Sequence, residues 1–244
     1  METLDFFPPI VDDAYAAGAI AAANAMSDVY AMGGEVLFAL NIVAWPDDLS
    51  FDPLERLIAG AVDKAAEAGA VIAGGHTVID TEPKFGLAVT GRVDPRHMLM
   101  KGTLAVGDAL WLTKPIGTGL LTTAHKLGEC SPEDLASAVA SMVALNRGAA
   151  RAASAAGVHA ATDVTGFGGL ERNTSYYVGE GHVRFGADVD EATQRLLLDP
   201  QTSGGLLVGV PAAHAEAWDQ ARETHRVEAW RIGEAIGGHG VTVA

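Results

Sequence analysis

The segment from Asp13 to Gly34 leaves the chain few options. Between an Asp pair and a Gly pair it is built mostly of Ala, Ile, Met and Tyr, without a single Lys or Arg. Asp12 or Asp13 offers an N-cap oxygen, so the spacing predicts a helix over 14–32. Gly33-Gly34 stop it, because glycine takes the left-handed backbone that a helix end needs. A helix so rich in alanine is thin and must lie close against something. The nearly continuous apolar run Val36–Val43 follows at once and reads as a buried strand.

The same pattern continues along the chain. Residues 3–11 read as a strand or extended arm broken by Pro8-Pro9, which argues for an edge or a strand exit. Pro53 to Ala68 is an amphipathic helix with Leu54, Leu57, Ile58, Ala61, Val62 and Ala65 on one face. Ala70–Ala73 is a short strand leading into a loop, Gly74-Gly75-His76-Thr77, and Phe85–Val93 is another strand. A stretch from Asp94 to Gly107 with Pro95 and Gly102 divides the chain into residues 1–100 and 101–244. In the second part, strands at Ala109–Thr113, Ala160–Val164 and Leu206–Val210 alternate with helices. A long helix or a pair of them is expected over 132–156, and a short helix over 192–198. Residues 171–187 read as irregular and 227–243 as a last strand or hairpin. The fold class is α+β in two domains rather than a doubly wound sheet.

Charge narrows the function. The net charge is −15, and no Lys/Arg cluster offers the basic face a nucleic-acid binder needs. No stretch reaches the length of a membrane span. One cysteine, Cys130, permits no disulfide within the chain, and Glu2 and Asp5 stand where a signal peptide would be basic. A cytoplasmic protein is expected.

Acids carry the chemistry. Asp5, Asp12, Asp13 and Asp28 fall in a stretch with no Lys or Arg before Asp52. Carboxylates without basic partners either face water or hold a cation. Asp28 sits near the C-terminal end of its helix, where the dipole disfavours an anion and a divalent cation would compensate; a solvated carboxylate is the alternative. Asp163, in T-D-V-T-G-F-G, ends a strand before glycines that let a phosphate approach the backbone, or else it caps an Asx-turn. Gly74 to Thr77 reads as an anion-cradling loop or an ordinary turn. Lys114 to Gly119 lacks the order of a Walker motif; Lys114 reads as a surface ion pair, with a phosphate contact as the alternative. Asp199 to Gly205 reads as a structural turn with local hydrogen bonds. Cys130 has no basic neighbour to activate it.

Seven stretches together resemble the selenophosphate synthetase (selenide, water dikinase) family, within the aminoimidazole ribonucleotide synthetase-like superfamily. They are L-D-F-F-P-P-I-V-D-D (4–13), N-A-M-S-D-V-Y-A-M-G-G (24–34), A-G-G-H-T (73–77), F-G-L-A-V-T-G (85–91), L-T-K-P-I-G-T-G (112–119), T-D-V-T-G-F-G (162–168) and D-P-Q-T-S-G-G (199–205). The resemblance implies an N-terminal domain that forms a sheet or barrel at a homodimer interface and a C-terminal α+β sandwich. It implies ATP in a cleft at that interface, and conversion of ATP, selenide and water to selenophosphate, AMP and phosphate with Mg²⁺. Carried over by motif, Asp28 holds Mg²⁺ and touches ATP, and Asp163 holds Mg²⁺. Asp5, Gly75, His76 and Thr77 contact nucleotide, partly across the dimer. The family's Cys or selenocysteine nucleophile and its Lys are expected upstream of Met1, so the resemblance assigns no catalytic residue here. A helix and loop that follow T-G-F-G in the family are missing after Leu170. Without those parts the chain by itself is expected to be inactive, and the alternative is a non-catalytic nucleotide-binding dimer or partner subunit.

Overall fold

The computed structural model describes residues 1–166 and 169–244. β1 (Glu2–Phe7) stops short of Pro8-Pro9, which have no N–H to extend a ladder. The Asp13 carboxylate accepts from the Ala16 N–H at 2.8 Å and caps α1 (Ala14–Ala31). Gly33, at φ 74°, turns the chain out of the helix. Then come β2 (Glu35–Trp45), α2 (Asp52–Glu67), β3 (Val71–Ile79) and β4 (Lys84–Arg92).

These strands form one sheet in the order β1-β4-β2-β3. β4 pairs antiparallel with both neighbours, whereas β2 and β3 run parallel, as the α2 crossover allows. α1 covers one face of the sheet. Met26, Val29 and Tyr30 are fully buried, with Phe85, Leu87 and Val89 of β4 in the same core. Small residues set how close α1 and α2 come. A Cβ on Gly18 would stand 1.8 Å from the Leu57 carbonyl oxygen, and one on Gly60 2.0 Å from that of Tyr15. Gly60→Ala must therefore push the helices apart. We expect a loss on the order of 3 kcal/mol, the upper range for overpacking, seen as a fall of about 10 °C in Tm for a chain of this size. An unchanged melting curve would mean the helices yield without cost.

The second half holds β5 (Ala109–Leu112), α3 (Thr118–Lys126), α4 (Pro132–Val143), α5 (Arg147–Ala155) and β6 (Ala160–Asp163). It continues with α6 (Leu170–Asn173), β7 (Val183–Phe185), α7 (Glu191–Leu198), β8 (Leu206–Val210), α8 (Ala215–Thr224), β9 (Trp230–Glu234) and β10 (Val241–Val243). An antiparallel sheet runs β6-β8-β5-β9, and β7 pairs with β10 apart from it. One apolar core joins the halves: Ala149, Ala153, Ala161, Leu206 and Val208 pack in the same cluster as α1. The fold is α+β.

Several elements differ from the sequence reading. The expected loop at Gly74–Thr77 lies inside β3, which runs on to Ile79. A Cβ on Gly75 would stand 2.4 Å from the Asn41 carbonyl oxygen, so here glycine serves strand packing rather than a turn. Residues 132–156 form two helices, because Ala144 leaves the helix with ψ 131°. Residues 171–187 hold α6, a π-helical turn at Thr174–Gly179 and β7. The last segment is not a hairpin: β9 joins β5, and β10 joins β7.

Candidate active site

Three aspartates from three elements converge where the halves meet. Asp5 comes from β1, on the face turned toward α1. Asp28 comes from the last turns of α1, and Asp163 ends β6. Antiparallel β1 and the buried α1 fix the first two, and β8 fixes the third by pairing Asp163 with Leu206. Asp28 and Asp163 line one cleft, close enough for the Asp28 charge to act on the Asp163 carboxyl. Thr3 Oγ1 donates to the Asp28 carboxylate, and Asn24 Nδ2 donates to that of Asp5.

The group is electrostatically unbalanced. Burial, then the charges of Asp28 and Asp5, push Asp163 up to about 6. Burial also raises Asp5, with the Asn24 hydrogen bond working against it and Asp28 adding to the rise. A cleft of about 650 Å³ opens in front of Asp28 and Asp163. Met32 and Met100 give it apolar walls, and Lys101 and Thr103 bring polar groups to its rim.

The carboxylates suit a hard divalent cation, which takes oxygen ligands and tolerates water and phosphate in the rest of its shell. Among the described residues no group of three or more His, Cys, Asp or Glu side chains is set to hold a metal ion alone. Asp28 and Asp163 bring two carboxylates to the cleft, fewer ligands than the six or more oxygens of a divalent cation's shell.

The other expected residues lie elsewhere. Gly75, His76 and Thr77 sit on β3, the exposed edge of the N-terminal sheet, and none lines the cleft. Asp12 and Asp13 face away from it: Asp13 caps α1 and pairs with Arg56 at 2.8 Å, and Asp12 meets His125 Nε2 at 3.1 Å. Cys130 Sγ donates to the Ser131 carbonyl at 3.4 Å and lies outside the cleft. Of the glycine turn after Asp163, Phe167 and Gly168 lie outside the described residues.

Lys114 is neither a surface ion pair nor free for a phosphate. It is buried, and its Nζ donates to the Ala144 and Ser203 carbonyls at 2.7 and 2.8 Å. The N–H groups opening α3 are taken as well. Gln201 Oε1 accepts from Gly117 and Thr118 at 2.8 and 3.2 Å, and Asp199 accepts from Leu120 at 3.0 Å. The turn Asp199–Gly205 is therefore not held by local bonds alone. It reaches α3, Lys114 and, through the Ser203 N–H at 2.8 Å, Asn24 on α1. Sequence reading missed Asn24 and Ser203 as residues that brace the site.

The family model for the AIR synthase related protein N-terminal domain matches residues 1–93, and that for its C-terminal domain matches 105–244. A selenide, water dikinase of Myxococcus xanthus is 42% identical over 278 residues, covering 98% of this chain and 79% of the relative. The chain belongs to the selenide, water dikinase family. A second family member, from Desulfitobacterium hafniense, is 40% identical over 275 residues, covering 97% of this chain and 80% of its own. Both alignments are longer than the 244 residues of the chain, so each relative carries residues inside the matched span that this dikinase family member lacks.

Solved structures share the fold. A thiamine-monophosphate kinase from Stenotrophomonas maltophilia superposes with a TM-score of 0.79 at 18% identity, covering all of this chain (100%) and 84% of that one. The hydrogenase maturation protein HypE in complex with ATP gives 0.67 at 22% identity, over 96% of this chain and 76% of that one. Among the described residues no helix is long and apolar enough to cross a membrane.

Proposed function

We propose that this chain is a selenide, water dikinase, using ATP, selenide and water to form selenophosphate, AMP and orthophosphate. The observation that carries the proposal is the meeting of Asp28 and Asp163 at one cleft, with Asp5 behind them, close enough for the three charges to act on one another. In that cleft Asp28 and Asp163 would hold Mg²⁺, and Asp5 would contact the nucleotide. Bound there, Mg²⁺ would neutralise phosphate charge and favour phosphoryl transfer.

The protein's own contribution is placement. Thr3 fixes the rotamer of Asp28, and Asn24 fixes that of Asp5, so the oxygens need little reordering when a nucleotide arrives. The ionised form of Asp163 is costly in the bare cleft, and cationic charge in front of it would favour that form. The methionine walls limit water around the phosphates.

We also propose that two copies associate through the open face of the N-terminal sheet. Residues paired across adjacent strands share a face. The pairs Leu4–Ala88, Leu40–Ala88, Phe6–Gly86 and Ile42–His76 therefore put Leu4, Phe6, Leu40 and His76 on the side opposite α1. Leu4 is 59% exposed, Phe6 43% and Leu40 40%. A contiguous apolar face of this kind marks an association surface. A second copy would cover His76, which is how the Gly75–Thr77 stretch would come to a nucleotide at the interface. The cytoplasm is the proposed setting.

Anaerobic ³¹P NMR of ATP, Mg²⁺ and selenide with the full chain tests the reaction. Selenophosphate, AMP and orthophosphate are expected in equal amounts, and only with selenide. ADP as the end product, or ATP consumption indifferent to selenide, would overturn the proposal.

A further inference from the structure

Behind the cleft, three buried polar residues form a line. Asn24 is 5% exposed, Lys114 7% and Ser203 1%. Lys114 Nζ donates to the Ser203 carbonyl at 2.8 Å, and the Ser203 N–H donates to Asn24 Oδ1 at 2.8 Å. Asn24 Nδ2 then donates to the Asp5 carboxylate. Each group in the line spends its donor on the next, so the orientation of the Asn24 amide is fixed: its oxygen must face Ser203 and its nitrogen Asp5.

Two features set this line apart from ordinary core packing. Ser203 has φ 48°, a left-handed backbone that a residue with a Cβ adopts at a cost. It is kept there with partners on both sides of its main chain. Lys114 is buried among main-chain carbonyls rather than beside a carboxylate, an expensive place for an amine. Burial, and then the charge of Lys64, lower it to about 7. Strain and buried charge are retained where a fixed geometry is needed.

We propose that Lys114 is a positioning residue: acting through the Ser203 main chain and Asn24, it fixes the Asp5 carboxylate and so sets nucleotide affinity from the C-terminal half of the chain. This deepens, and rests on, the reading of the cleft as a nucleotide site. A second strut supplies the control. Asn146 Nδ2 donates to Ser27 Oγ and to the Gly204 carbonyl, both at 2.8 Å. It joins the same turn to α1 but does not end on Asp5.

The test is ATP affinity, with Mg²⁺, of the full chain and its variants, each paired with a thermal melt. Lys114→Met, which keeps the apolar stem, is expected to weaken binding about tenfold, and Asn24→Ala by a similar factor. Because both cut one line, the double variant should lose little more than either single. Asn146→Ala should lower Tm yet leave affinity within about twofold, and Lys114→Arg, which keeps the donors, should restore most of the binding. Parent-like affinity in folded Lys114→Met, or fully additive losses, would overturn the proposal. Should Lys114→Met fail to fold, parent-like affinity in Asn24→Ala overturns it alone. Failure of the nucleotide reading looks different: the parent itself would not bind. The Asn24 side-chain amide signals in ¹⁵N NMR then decide, and they must move more in Lys114→Met than in Asn146→Ala.

Discussion

Asp163→Asn is expected to melt at a higher temperature than the parent and to lose Mg²⁺-dependent ATP binding. Burial and the charges of Asp28 and Asp5 hold Asp163 up to about 6, against roughly 3.9 for an unstructured Asp. Between those values the folded chain holds a proton that the unfolded chain has released. Stability from this group therefore falls as pH rises from 4 to 6, and the full penalty applies above 6. A gap of two units corresponds to at most about 3 kcal/mol, or up to about 10 °C in Tm. The amide removes that penalty at pH 7.5 and gains nothing at pH 4, so the difference between the two melting curves should shrink as the solution is acidified. The same change removes a carboxylate ligand. Loss of even an outer partner of a metal ligand costs 10–100-fold, so about 100-fold in affinity is the least expected here. Adding Mg²⁺ and ATP should raise the Tm of the parent and leave the variant unmoved. A variant that is no more stable than the parent and binds ATP normally would mean that Asp163 neither faces Asp28 nor serves the nucleotide.

Leu40→Asp should convert a dimer to a folded monomer. Leu40 lies on the central strand β2, on the face opposite α1, with Leu4 and Phe6 beside it across β4 and β1. In a single copy it is exposed, so an aspartate there costs the monomer little. In a two-fold dimer each substitution occurs twice at one interface. Two buried, unpaired carboxylates at about 2 kcal/mol or more apiece raise the dimer dissociation constant on the order of 1,000-fold. Sedimentation velocity at micromolar concentration would show the parent as a dimer and the variant as a monomer with the same far-UV circular dichroism. A dimeric variant would place the interface elsewhere.

Local chemistry wrote some of this site into the sequence and tertiary contact decided the rest. Asp28 and Asp163 stood out because each lies toward the end of a periodic element that glycines follow, one in the last turns of a capped small-residue helix and one at the last residue of a strand. The acids at 12 and 13 looked equally unpaired, since no Lys or Arg lies near them in the chain. Their partners, Arg56 and His125, are far along it, and no sequence-local rule finds them. Gly74-Gly75 resembled a turn because glycine usually marks one. Its β-branched flanks, Val71-Ile72 before and Thr77-Val78-Ile79 after, were the available sign of one continuous strand. Lys114 and Asp199–Gly205 misled in the same way. Polar residues next to Pro and Gly look solvated and local, yet the Ser203–Asn24 bond spans 179 positions and ties the two halves together. Neighbouring strands able to pair antiparallel, despite the alternation with helices, gave the α+β class, whereas the break at Ala144 and the separate fates of β9 and β10 depend on packing that periodicity does not carry.

The most direct measurement is a calorimetric titration of ATP into the chain with Mg²⁺, with EDTA in place of Mg²⁺, and into Asp28→Asn. A cleft in which Asp28 and Asp163 jointly hold the cation for a bound triphosphate predicts saturable binding with Mg²⁺, and a loss of about 100-fold or more both with EDTA and in the variant. Equal binding under all three conditions would contradict it.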